Sequence, residues 1–156
     1  MKPVVQLERT GCGIASVAAL AGVSYQAAKR AADRLGIVAS DPSLWSATRH
    51  VRRLLERYGL RAHATEMRFV SWSALPAHAL LAVKWHRNGR RSCWHWVVFV
   101  REDGQAYVLD SAMTLKQHVR TDFGRIKPKW FIGVAKAGVE SLRPLLRRRR
   151  YEWRVR

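Results

Sequence analysis

Near Gly59 the spacing of apolar residues changes from helical to strand-like, and that switch limits the architectures open to the chain. Before it, CGIASVAALAGV is alanine-rich and apolar nearly all round, the pattern of a buried helix that begins near Cys12 and that Gly22 closes. Ser24 caps a second helix, YQAAKRAADRL, with Gly36 just past its end. The spacing of Leu44, Ala47, Val51, Leu54, Leu55 and Tyr58 predicts a third helix, starting around Asp41-Pro42-Ser43 and stopping at Gly59. Arg49, Arg52, Arg53 and Arg57 lie off that stripe, as a solvated face.

After Gly59 the period shortens. Residues 61–67 read as a short strand, and residues 70–75 as a turn of helix that Pro76 breaks. ALLAVKWH at 79–86 reads as a buried strand, followed by an Asn88-Gly89 turn. WHWVVFVRE at 94–102 and QAYVLD at 105–110 form a hairpin about Asp103-Gly104, and WFIGVA at 130–135 is the last strand. Helices followed by an antiparallel sheet make an α+β pattern in one domain. The expected division is a domain over 1–142 and an Arg-rich basic tail over 143–156.

Charge bears on partners. The chain carries 29 Lys+Arg against 11 Asp+Glu, a net +18, and its last 14 residues hold seven arginines against one glutamate. An apolar content of 48% excludes a disordered polycation. No apolar run reaches the roughly 18 residues of a membrane span. Glu8 and Arg9 stand where a signal peptide needs its apolar stretch, so a soluble cytoplasmic chain is expected. The field draws acidic peptides or proteins, nucleic acid or anionic lipid. No helix-turn-helix, zinc-finger or RNA-binding signature is present, so nucleic acid at the basic tail ranks below an acidic peptide or protein.

Two cysteines are too few for a disulfide framework. Cys93 and His95 make a C-x-H triplet with no second cluster at zinc spacing, so neither a metal nor another cofactor is expected. Taken alone, Cys12 is a small apolar residue in an alanine-rich helix. Its place at a helix start, between Gly11 and Gly13, gives a second meaning, because the positive end of a helix favours a thiolate nucleophile. The two glycines allow close approach of backbone and substrate.

A thiol nucleophile needs a base, and the base needs an orienting partner. With Asp103-Gly104 as a two-residue turn, Glu102 pairs with Gln105 and Val97 with Asp110. His95 is then diagonal to Asp110 on one face, within reach of its carboxylate. Gln6, six residues before Cys12, can donate an amide hydrogen to an oxyanion together with the Cys12 N–H. Trp94 and Trp96 flank His95 and read as core or as the wall of a peptide groove; with Gly11 and Gly13 they are the candidate substrate-binding residues. Cys93 shares the His95 face and reads as strand packing, and the remaining histidines as surface or packing residues.

The run Q-x5-C-G-x-A in QLERTGCGIASVAALAG, then H-W-V-V in WHWVVFV, then the Asp that closes YVLD, resembles the bacteriocin-processing peptidase family. Those are papain-like cysteine peptidases that cut secretion leaders after a double glycine. The resemblance runs from about Val4 to about Ala135 and is most specific in the first 20 residues. It implies a papain-like fold, with Cys12 as nucleophile, His95 as base, Asp110 as orienting acid and Gln6 as oxyanion donor. Gly11 replaces the family's usual acidic residue, and Ser111 replaces its common proline after the aspartate. The expected activity is peptide-bond hydrolysis, after small or double-glycine sites; the alternatives are a toxin, effector or acyl-transfer enzyme with the same triad, or a catalytically silent basic module that binds nucleic acid or an acidic partner.

Overall fold

The computed structural model describes residues 1–136. The expected basic tail over 143–156 lies outside the described residues, as does the boundary at 142. Three α-helices, α1 (Cys12–Ala21), α2 (Tyr25–Arg34) and α3 (Arg49–Arg57), precede every strand. The strands are β1 (Leu60–Ala62), β2 (Met67–Arg68), β3 (His78–Asn88), β4 (Arg91–Glu102), β5 (Gln105–Asp110), β6 (Val119–Arg120) and β7 (Trp130–Lys136). They form an antiparallel sheet in the order β1-β7-β3-β4-β5-β6, with β2 also pairing with β7. This is the expected α+β class.

Local chemistry sets the helix boundaries. Gly22 follows α1 in the left-handed region at φ 69°, where other residues pay a steric penalty, and its N–H returns to the last turn. Ser24 caps α2, its hydroxyl accepting from the Ala27 N–H at 3.2 Å. The continuous third helix is corrected. The structure has a 3-10 turn over Pro42–Trp45, capped by Asp41, then an interruption before α3 begins at Arg49. Ser46 hydrogen-bonds back to the Ser43 carbonyl within this interruption, the local competition by which serine breaks helices. The turn of helix expected at 70–75 is a pair of non-helical turns.

The sheet is covered on both faces, which is why β4 reads as an almost unbroken apolar run. Trp94, Trp96, Val98 and Val100 face the helices and join a core with Ile14, Val17, Leu54 and Ile132. Val97 and Phe99 point the other way, into a second core with Leu81, Val108 and Phe131, covered by Trp72 and Phe123 from the loops. The β4–β5 register is the one the turn requires: Glu102 opposite Gln105 and Val97 opposite Asp110. Asp103 and Gly104 adopt φ 52° and 75°, positive at both turn positions as a tight primed hairpin demands.

The β3–β4 ladder shifts register between Val83 and His86, immediately past the pair Val83–His95. Lys84 occupies this bulge at φ 51°, a conformation strained for a residue with a Cβ. Removing that strain outweighs the entropy that glycine adds to the unfolded chain. Lys84→Gly is expected to stabilise the protein by roughly 0.5–1 kcal/mol. The check is a higher urea midpoint with an unchanged denaturant slope.

Candidate active site

Cys12 is the first residue of α1 and is buried. Three ties hold the loop that leads into it. Glu8 accepts from Tyr25 and pairs with Lys29, both on α2, and Thr10 donates to the Ala39 carbonyl. Gln6 supplies the third from inside the fold. Its amide nitrogen donates to the carbonyls of Glu8 at 3.0 Å and Arg9 at 2.9 Å.

The two flanking glycines are packing requirements. A Cβ on Gly11 would lie 2.1 Å from the Tyr25 hydroxyl oxygen. One on Gly13 would lie 2.9 Å from Val51 and 3.2 Å from Trp96. Glycine at 11 thus leaves room for the Tyr25–Glu8 contact, and glycine at 13 lets α1 settle against α3 and β4.

His95 projects from β4, and its Nε2 donates to Asp110 Oδ1 at 2.8 Å. Cys12 lies near enough to interact with the imidazole, and because Nε2 is committed to Asp110, Nδ1 is the ring nitrogen left over. Cys12, His95 and Asp110, 98 residues apart in sequence from first to last, are therefore brought to one place in the fold. Burial alone would push the His95 pKa down. The hydrogen bond to Asp110 and the interactions with Cys12 outweigh it and raise the value to about 9.

Asp110 is 1% exposed. Burial pushes its carboxyl upward, but the hydrogen bond and charge of His95, the Ala112 N–H and Arg120 hold it at about 2. Ala112 donates to Oδ1 at 3.2 Å, and Arg120 donates to Oδ2 at 3.1 Å. Arg120 is itself aligned by two hydrogen bonds to Asp122, at 3.0 and 2.8 Å. His118 Nδ1 donates to the Asp110 carbonyl at 2.8 Å.

Sequence reasoning missed Arg120 and His118 as neighbours of the site. β6 has two residues, too few to show a period. The available signal was Asp110 itself: a carboxylate buried at the end of a strand needs more donors than one histidine provides.

Gln6 joins this group through Ser111. The Ser111 hydroxyl donates to Gln6 Oε1 at 2.9 Å, and the Gln6 N–H donates to the Ser111 carbonyl at 3.1 Å. Gln6 thereby links the cysteine loop to the residue after Asp110.

The structure does not bring Trp94 and Trp96 to a groove wall. Both are buried on the helix-facing side of β4, edge-to-face with each other and with Trp130 at centroid distances of 4.9–5.7 Å. Period-2 alternation places them on the face opposite His95. Cys93 is a buried free thiol. Among the described residues no cluster of His, Cys, Asp and Glu could hold a metal ion, and no helix is long and apolar enough to cross a membrane.

No protein-family model matches the chain. No curated protein matches it in sequence. Among solved structures it is similar to a double glycine motif protease from an AMS/PCAT transporter, crystallised in complex with the leader peptide. Identity is 19% and the TM-score 0.55, over 85% of this chain and 89% of that one. At this identity the likeness is one of fold: helices packed on an antiparallel sheet, matched over most of both chains.

The charges around Asp110 predict opposite responses at its two sides. Asp110→Asn removes the anion while His95 stays buried, so the His95 pKa falls from about 9 toward 6.5 or lower. Arg120→Ala removes a cation and a hydrogen bond, so the Asp110 pKa rises from about 2. Imidazole and carboxylate NMR titrations of the two variants check both directions.

Proposed function

We propose that the chain is a cysteine peptidase in which Cys12 is the nucleophile, His95 the acid–base and Asp110 the group that orients His95. The observation that carries this reading is the arrangement of three side chains: a cysteine at a helix N-terminus, close to an imidazole whose Nε2 is held at 2.8 Å by a buried carboxylate. Structural ion pairs also perturb histidines, but they do not require a cysteine beside the imidazole. The fold likeness to a double glycine motif protease supports the same reading.

In the acylation step the Cys12 thiolate attacks the peptide carbonyl carbon. The C–N bond then breaks, and the imidazolium of His95 gives its proton to the departing amine. A thioester remains on Cys12. In the second step His95 takes a proton from water, the resulting hydroxide attacks the thioester, and the carboxylic acid leaves as Cys12 recovers its proton. Asp110 holds the imidazole orientation and stabilises its charge throughout.

The developing oxyanion is met by the backbone N–H of Cys12, a first-turn donor without an intrahelical acceptor, and by the Gln6 amide. Gln6 Nε2 reaches it by releasing one of its two loop carbonyls. The neighbour's double-glycine specificity points to a substrate with small residues at the cut. A peptide is the substrate class, and the reaction draws on no cofactor.

The test is alkylation of the purified chain by a Gly-Gly peptide carrying a thiol-directed warhead. Labelling is expected at Cys12 and to slow by on the order of 10²-fold or more in His95→Ala. Labelling that ignores His95 overturns the mechanism. On a cleaved peptide, kcat/KM is expected to decline on the alkaline side with an apparent pKa near 9, as His95 loses the proton it delivers. In Asp110→Asn that decline moves to lower pH, because the imidazolium loses its stabilising anion.

A further inference from the structure

We propose that the groove between the 3-10 turn and the tip of the β3–β4 hairpin is a subsite for acidic side chains of the peptide substrate. The inference rests on the peptidase reading and names the substrate class that it leaves open. The groove encloses about 500 Å³ and is lined by Ser43, Ser46, Ala47, Arg49, Arg90, Arg91 and Ser92. Arg90 and Arg91 come from the hairpin, and Arg49 is the first residue of α3. All three arginines are exposed, and among the described residues none forms a hydrogen bond or an ion pair.

Other arginines in the fold are committed. Arg52 pairs with Glu66, Arg101 donates to the carbonyls of Leu75 and Trp72, and Arg120 holds Asp110 and Asp122. The carboxylate nearest the groove, Asp41, accepts from both the N–H and the hydroxyl of Ser43 and caps the 3-10 turn. His50 hydrogen-bonds to the same serine and adds no negative charge. The groove therefore presents three guanidinium groups and serine hydroxyls, the donor set that recognises a carboxylate.

Position connects this groove to the reacting atoms. Ser92 precedes His95 by three residues on β4, about 10 Å along the strand. Three extended residues of substrate span the same distance. On the other side, Arg9 of the cysteine loop lies over the Trp45 ring at 5.6 Å, and Trp45 adjoins Ser46. The 3-10 turn that carries Ser43 of the groove is thus in contact, through Trp45, with the loop that delivers Cys12. An acidic residue about three positions from the scissile bond would reach it.

The test uses the full chain carrying Cys12→Ala, so that binding is read without turnover. The probes are two fluorescein-labelled peptides with a central Gly-Gly pair, identical except for Glu or Gln three positions to either side. At low salt the Glu peptide is expected to bind about ten-fold more tightly, the sum of a few exposed charge pairs. That preference should collapse in the combined Arg49→Gln, Arg90→Gln and Arg91→Gln variant. Arg90→Glu with Arg91→Glu should turn it toward a peptide with Lys at the same positions.

Equal binding of the Glu and Gln peptides, or a preference that survives removal of the arginines, overturns the proposal. So does tighter, arginine-dependent binding of a single-stranded oligonucleotide of matched length. Warhead labelling of the chain with Cys12 intact separates the two claims. Labelling without a Glu preference sinks the subsite alone, whereas a Glu preference without labelling sinks the peptidase reading and leaves an acidic-peptide site.

Discussion

A charged carboxylate cannot be buried alone, and Asp110 is both ionised and almost completely buried. Its oxygens must find donors, and each comes from a different part of the sheet region. His95 stands on β4, Arg120 on β6, and the Ala112 N–H follows β5. The register between β4 and β5 has to be the observed one, because a slip of one residue would turn His95 away. Short as it is, β6 is needed to bring Arg120 to the second oxygen. The charge network and the sheet topology therefore specify each other.

The helical half is attached to this network through Gln6. Its side chain joins the carbonyls of the cysteine loop to the Ser111 hydroxyl, one residue beyond Asp110. Two departures from the resembled family's pattern find their physical counterparts here. Glycine at 11 leaves the space that the Tyr25 hydroxyl occupies, and that hydroxyl helps to fix Glu8. Serine at 111 supplies a donor that proline lacks, and Gln6 receives it. The sequence differences and the ties that hold the loop are one arrangement.

How much could be read beforehand followed from how local the determining physics is. The Asp103-Gly104 turn determines a register by counting, so the meeting of His95 with Asp110 was legible. Caps and glycines likewise marked α1 and α2. The break before α3 was not legible, because Leu44 and Val51 both bury and keep the apolar stripe intact across a non-helical joint. The tryptophans beside His95 suggested a groove until strand alternation was joined to the actual covering of both faces. Arg120 was invisible since its role depends on a two-residue strand and a long-range partner.

Net charge proved to be a poor description of the surface, for a reason the arginines make explicit. Residues 1–136 hold 22 basic against 9 acidic side chains, a net +13, so the positive field does not depend on the Arg-rich segment beyond them. Yet the individual charges do different work. Arg101 ties a loop to the sheet through two carbonyls, and Arg120 completes the donor set of a buried acid. Such guanidinium groups are already solvated by the fold and offer little to a ligand. Arg49, Arg90 and Arg91 share one groove and, among the described residues, form no ion pair of their own, so their guanidinium groups are held by water rather than by the fold. Partner chemistry follows from which charges the fold leaves uncommitted and where they stand relative to Cys12, a distinction the total of +18 averages away.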